Sequence, residues 1–350
     1  MKKTGNFNRK ILGMLAALAS FIFAPACRLN DKQSALESAG IQADRLESLW
    51  WLFFYVCAAV YVIVMIVLLA AVLKTRKVTE QAAPDVKPDE RGERTAANII
   101  KGAVAITVIT LFVLMLSSFR TGSAINDLQN SPEPLSLKIT GSQFWWNVTY
   151  VDTVPSNNIQ TANELHLPVG RPVKVELTST DVIHSFWMPN IHGKKDLVPN
   201  YPTTFYFRPD TVGTYTGQCA EFCGYQHAKM RFNVVVETED QFESWMAAQR
   251  QTPPPPSDPL LQKGQQIFLT STCVTCHAIQ GTPANGQVGP NLTHVAGRPF
   301  IAAGSLPNTD ENLRSWITDP QKIKPGIKMP MNTFSDEDLN ALVAYIESLK

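Results

Sequence analysis

Cys219-Ala220-Glu221-Phe222-Cys223-Gly224-Tyr225-Gln226-His227-Ala228-Lys229-Met230 is the stretch on which the reading of this chain turns. Two thiols stand four residues apart, followed by an imidazole and a thioether, and a second imidazole, His184, lies upstream in Asp181-Val182-Ile183-His184-Ser185. Two thiolates, two imidazoles and a thioether make a soft donor set; sulfur favours copper, and zinc would have little use for Met230. Cysteines at this spacing, on a loop between strands, can aim both sulfurs at one spot and bridge two metal ions. A bridged pair shares its odd electron over both ions and rearranges little when that electron is gained or lost, which suits electron transfer and not substrate chemistry. A structural zinc or a disulfide is the alternative.

Around this loop, from Leu135 to about Thr238, short segments rich in Val, Thr, Tyr and Phe alternate with Gly, Pro, Asn and Asp. Leu135 to Thr140, Val173 to Leu177, Thr203 to Phe207 and Phe232 to Val236 read as strands of a β sandwich or barrel. Downstream, Gln251-Thr252-Pro253-Pro254-Pro255-Pro256-Ser257-Asp258-Pro259 is a linker whose prolines favour an extended conformation. Residues Leu260 to Leu269 then have helical spacing and lead into Cys273-Val274-Thr275-Cys276-His277.

Cys-x-x-Cys-His is the attachment motif of haem c, in which the two thiols bond the vinyl groups and the histidine ligates the iron. Alone it could be a redox or zinc motif. Here Lys324-Pro325-Gly326-Ile327-Lys328-Met329-Pro330 supplies Met329 as the second axial ligand, with Met331 as a fallback. Methionine opposite histidine raises the reduction potential and closes the iron to substrate, so such a haem is a relay. The chain ends in a helix that Ser335 caps, with Leu339, Leu342, Val343 and Ile346 as its buried stripe. His166 and His192 have no ligand partner in sequence and read as surface or structural residues; His294 reads as peripheral to the haem ligation.

Upstream, Met1-Lys2-Lys3, Arg9-Lys10 and the apolar run from Ile11 to Phe23 read as a secretory signal ending near Cys27. Cys27, after small residues, resembles a lipoprotein attachment cysteine, with ordinary cleavage nearby as the alternative. The chain is uncharged from Leu49 to Leu73 and again from Gly102 to Phe119, and both runs read as membrane spans. Lys74, Arg76, Lys77, Lys87, Arg91 and Arg94 lie between them, which puts that connection in the cytoplasm and both termini outside. Cys57, inside the first run, reads as a small buried side chain. At 350 residues the chain has room for two or three modules, and its net charge of +1 with 17% charged residues gives no reason to expect a nucleic-acid partner.

The loop Cys-x-Glu-x-Cys-x-x-x-His-x-x-Met with its upstream histidine resembles the copper A loop of cytochrome c oxidase subunit II, over about residues 45 to 245. Residues 258 to 350 resemble class I cytochromes c, including Gly289-Pro290-Asn291-Leu292 between the haem ligands. Together they resemble bacterial oxidase subunits II that carry a fused C-terminal cytochrome c. The fold class implied is multidomain: a two-helix transmembrane hairpin, a β-sandwich (Greek-key) cupredoxin domain and an all-α cytochrome c domain. The boundaries expected are a signal at 1–27, a hairpin at 45–122 (spans 49–73 and 100–119), a copper A domain at 125–248, a linker at 249–259 and a cytochrome c domain at 260–350.

The resemblance makes His184, Cys219, Cys223, His227 and Met230 side-chain ligands of two coppers and gives Glu221 a backbone-carbonyl role. The Glu221 carboxylate would also reach magnesium at the contact with subunit I. Covalent haem c falls to Cys273 and Cys276, with His277 and Met329 on the iron. Gly141-Ser142-Gln143-Phe144-Trp145-Trp146 matches the aromatic segment where the family's first tryptophan receives the electron. Phe144 stands in that place here, so Phe144, Trp145 and Trp146 are the candidates for that role. For the two tryptophans, packing is the alternative reading. Lys194 and Asp196 fit the segment that docks onto subunit I.

The partners implied are subunit I and other oxidase subunits, an external donor such as cytochrome c, and membrane lipid. The location implied is a bacterial cell membrane, with the soluble domains on its periplasmic side. A copper A protein of another respiratory reductase and a non-redox assembly or anchoring subunit are the rival readings.

Overall fold

The computed structural model describes residues 31–74, 90–125 and 127–350. The signal, Cys27, and Arg76, Lys77 and Lys87 of the basic connection lie outside the described residues.

Two long helices come first, α1 (Ile41–Leu73) and α2 (Glu90–Ile125). Both outrun the uncharged stretches, because helix-compatible polar residues extend them before each apolar run. With 33 and 36 residues at about 1.5 Å each, either exceeds the roughly 30 Å of a hydrocarbon core. Most of their apolar side chains face outward, as with Ile66 (61% exposed) and Ile106 (66%), and Leu114 is the buried apolar residue of α2. Cys57 shares that exposure, which corrects the expectation of a buried side chain: the thiol lies on the outer face of a helix that packs on little of its own chain.

The sandwich follows as ten strands in two five-stranded sheets. One runs in the order β3-β2-β1-β5-β8, from β1 (Leu135–Ser142), β2 (Trp145–Tyr150), β3 (Ile159–Ala162), β5 (Val173–Ser179) and β8 (Thr203–Phe207). The other runs β4-β10-β9-β6-β7, from β4 (Glu164–Pro168), β6 (His184–Trp187), β7 (Lys194–Leu197), β9 (Gly213–Cys219) and β10 (Arg231–Glu237). Alternation sets which face is buried: Leu137 and Ile139 point into the core while Lys138 between them is exposed. The β1–β5 and β4–β10 pairs are parallel and the other pairs antiparallel.

Beneath the copper-type loop the core is aromatic. Phe232 stacks on Phe186 at 4.4 Å between centroids, and Trp146 meets both edge-on at 5.5 Å. Only glycine fits at position 217, where a Cβ would stand 2.0 Å from the Phe232 ring. Residues 39–43 strap α1 to this body: Ala39 and Ala43 donate their amides to Asn190 O and Ile191 O, and the fully buried Gln42 accepts from the Arg208 amide.

His166 is structural, as expected. It sits between Glu164 (3.2 Å) and Glu237 (2.9 Å) and stacks on Trp245 of helix α3 (Glu239–Gln249) at 4.1 Å. Burial opposes its charge, but the two carboxylates outweigh burial and raise its pKa. His192 is structural too: it packs edge-on against Phe205 and Phe207, and burial lowers its pKa to about 4.

The extended proline segment leads to helix α4 (Pro259–Thr270), capped by Asp258, which accepts from the Leu260 amide at 2.7 Å. A short helix α5 (Cys273–Cys276), a two-stranded hairpin β11–β12 (Phe300–Ile301, Leu306–Pro307), α6 (Asp310–Thr318), α7 (Pro320–Ile323) and α8 (Asp336–Ser348) complete a helical domain. Ser335 caps α8 as expected, accepting from the Asp338 amide, and Leu342, Val343 and Ile346 are buried. Helices α4 and α8 cross at Gly264, where a Cβ would lie 2.0 Å from Ala341 O. His294 is peripheral to the haem-type cleft, as expected: it is buried, with its two ring nitrogens near Lys350 O (2.8 Å) and Gln249 O (3.2 Å), between the chain end and α3.

Candidate metal centre and haem cleft

Strand pairing brings residues far apart in sequence to one spot. Strands β9 and β10 are antiparallel neighbours, and the Cys219 amide donates to Met230 O, so the loop 220–230 is pinched at its neck with Cys219 facing Met230. Strand β6 runs antiparallel beside β9, with Phe186 opposite Cys219, and this sets His184 next to that cysteine. Within the loop, Gly224 (φ +124°) takes a conformation that L side chains resist. Its carbonyl accepts from the His227 amide, turning His227 back over Cys223.

The donor atoms converge. Cys219 Sγ lies 3.8 Å from Cys223 Sγ, 3.9 Å from His184 Nδ1 and 3.2 Å from Glu221 O. Cys223 Sγ lies 3.7 Å from His227 Nδ1 and 3.8 Å from Met230 Sδ. A disulfide would hold its sulfurs at about 2.05 Å, so these are two free thiols. All six expected groups are therefore present at one spot, with the sulfurs central and the imidazoles at either side. The neighbouring sulfur and His184 lower the pKa of Cys219 well below the usual thiol range against the effect of burial, while Cys219 pushes Cys223 upward. Cys219 is thus the more readily ionised of the two thiols, and the thiolate is the form that binds metal.

Sequence reasoning missed the support of this set. Asp181 Oδ1 lies 2.8 Å from His184 Nε2 and fixes the ring so that Nδ1 faces Cys219. Partial burial works against the Asp181 charge, but bonds from His184 and from the Gln143 and Val182 amides more than offset it, and the carboxyl sits below its usual range. The available signal was the spacing Asp-x-x-His, within the reach of a carboxylate to its neighbouring imidazole. The Glu221 side chain is exposed, leaving only its carbonyl at the cluster.

Trp146 is fully buried, edge-on to His184 at 6.0 Å between centroids, and belongs to the core. Phe144 is 6% exposed, and Trp145 is half-buried. Both line a second feature, an apolar cleft of ≈ 1310 Å³ counting its open mouth, whose other walls are Cys273, Cys276, His277, Met329, Leu292, Phe268, Trp316 and Leu342. His277 Nδ1 is bonded to Pro290 O (2.8 Å), which turns Nε2 toward the cleft. Burial lowers the pKa of His277 and keeps the imidazole neutral, as an iron ligand must be. Glycine is required at 289, where a Cβ would stand 2.6 Å from the His277 ring. Met331, by contrast, is exposed (63%) and outside the cleft.

A cupredoxin-like β domain and a helical cytochrome c domain on one chain, behind two helices long and apolar enough to cross a membrane, define a subunit of a membrane-bound oxidoreductase complex. Residues 153–238 match the family model for the periplasmic domain of cytochrome c oxidase subunit II, and residues 261–350 match that for cytochrome c. The chain is 36% identical over 250 residues to cytochrome c oxidase subunit 2 of Alkalihalophilus pseudofirmus, covering 70% of this chain and 71% of the relative. It is 34% identical over 263 residues to the same subunit of Bacillus sp. strain PS3, covering 70% and 72%. Among solved structures, the periplasmic domain of oxidase subunit II from Bradyrhizobium japonicum is 29% identical, with a TM-score of 0.32, over 34% of this chain and 96% of that one. The chain belongs to the cytochrome c oxidase subunit II family.

Proposed function

We propose that this chain accepts electrons from an external donor and passes them to the oxygen-reducing subunit I of a haem-copper oxidase. His184, Cys219, Cys223, His227 and Met230, with the Glu221 carbonyl, would hold a binuclear copper A centre, and Cys273, Cys276, His277 and Met329 a haem c. When bound, the two groups supply one-electron carriers of low reorganisation. The single observation that supports this best is the cluster of soft donors, with two unbonded sulfurs 3.8 Å apart at its centre. The protein's part is to fix that cluster: the β9–β10 neck sets Cys219 against Met230, and Asp181 orients His184.

In this reading residues 45–122 anchor the chain in a bacterial cell membrane, with the copper domain (125–248), the linker (249–259) and the cytochrome domain (260–350) outside it. The Glu221 carboxylate, which is exposed, would be the group that reaches magnesium at a contact with subunit I. The purified full chain should contain about two coppers per haem c, as bridging thiolates and one attachment motif require. One copper per haem, or zinc in its place, overturns the reading. Asp181→Asn keeps the shape of the site and removes the carboxylate charge behind His184. It is expected to weaken copper retention by about 10–100-fold in titration against a chelator, with the haem spectrum unchanged.

A further inference from the structure

The loop that carries Met329 is fastened to the loop that carries Met230. Lys324, 2% exposed, donates from Nζ to three carbonyls: Phe144 O at 3.1 Å, Lys229 O at 2.9 Å and Ala302 O at 3.1 Å. The first two belong to the sandwich, on the β1–β2 turn and one residue before Met230; the third belongs to the helical domain. Three acceptors match the three N–H bonds of an ammonium, so a charge that burial would otherwise penalise is fully satisfied. Burial, reinforced by Lys229 and opposed by Cys223, lowers the amine to about 7; the neutral form still donates two of the bonds.

The surroundings are built to the same end. Gln226 Nε2 donates to Pro325 O (2.8 Å), Lys229 Nζ to Ile323 O (2.6 Å) and the Arg231 amide to Ala303 O (3.2 Å). Ile327 packs against the sandwich core. Ala302 and Ala303 adopt φ of +54° and +56°, a conformation costly for alanine, and theirs are the carbonyls presented to Lys324 and Arg231.

We propose that Lys324 is a positioning residue, an interdomain latch that holds the haem-bearing domain against the copper loop and so sets the distance the electron crosses between them. What the two loops hold rests on the function proposed above. The latch replaces a donor tethered by a proline linker, which would sample many orientations, with one docked at a single orientation. The same docking covers Phe144, which lines the cleft beside residues of the helical domain.

The test uses the full chain carrying both groups. In Lys324→Met the three carbonyls lose their donor, and the rate of haem-to-copper electron transfer after photoreduction should fall about tenfold or more, as expected from losing charged hydrogen bonds. Lys324→Arg, which keeps a multiple donor, should recover part of that rate. Haem and copper spectra and potentials should stay as in the unaltered chain, which a general structural defect would not allow. Independently of any metal, the Arg231 amide should be protected from hydrogen exchange in the unaltered chain and lose that protection in Lys324→Met. An unchanged transfer rate, or an Arg231 amide that exchanges freely in the unaltered chain, overturns the latch. A chain without copper or haem would instead overturn the function, and the exchange measurement would still decide the latch.

Discussion

Replacing Cys223 by serine is expected to yield a chain that keeps its haem c, loses its paired copper centre, and supports less than about 1% of the oxygen-reducing turnover of the unaltered oxidase. Cys223 Sγ lies at the centre of the cluster, within 3.7–3.8 Å of donor atoms of Cys219, His227 and Met230. A serine hydroxyl is smaller, harder and not ionised near neutral pH, so it can neither bridge soft ions nor balance their charge. The fold should survive, because the neck of the loop is held by backbone bonds between Cys219 and Met230. Copper content and near-infrared absorbance of the purified complex read the result, with the haem band as internal standard. Full copper retention in Cys223→Ser would contradict the assigned cluster.

The second large effect is expected from Cys273→Ser combined with Cys276→Ser. The walls of the cleft are mostly apolar side chains that meet across an opening, so a haem bound there would complete the core of this domain. Without the thioether bonds, retention depends on noncovalent binding, and the domain forfeits a stabilisation on the order of 4 kcal/mol. The double variant should show no covalent haem on a denaturing gel, and proteolysis should cut first within residues 260–350. Copper absorbance should persist, because the cluster draws its ligands from the sandwich alone. Covalent haem in this variant, or an equally resistant C-terminal domain, would count against the cleft as the haem site.

What could be read without coordinates was local chemistry. The spacing of Cys219, Cys223, His227 and Met230 and the run Cys273 to His277 each lie within one loop or turn, so residue order nearly fixes geometry. Strand cores such as Thr203–Phe207 were equally legible, since alternation and flanking breakers act over a few residues. What escaped depends on distant pairing. Lys324 stood in view beside Met329, yet its carbonyl partners lie as much as 180 positions away and leave no periodic trace. The partners of His294, the chain end and the end of α3, are hidden from the sequence for the same reason. The strap at residues 39–43 escaped because backbone bonds carry it, and these are silent in residue type.

Phe144 joins the two levels. The residue standing in the tryptophan's place is legible in the sequence, and its burial only in the tertiary structure, where it lines the cleft beside residues of the helical domain and its carbonyl accepts from Lys324.

The most direct test of the account is electron paramagnetic resonance of the oxidised full chain. It should show, beside the low-spin haem signal, one unpaired electron with hyperfine splitting from two equivalent copper nuclei. Splitting from a single copper nucleus, or no copper signal in a copper-replete chain, would contradict it.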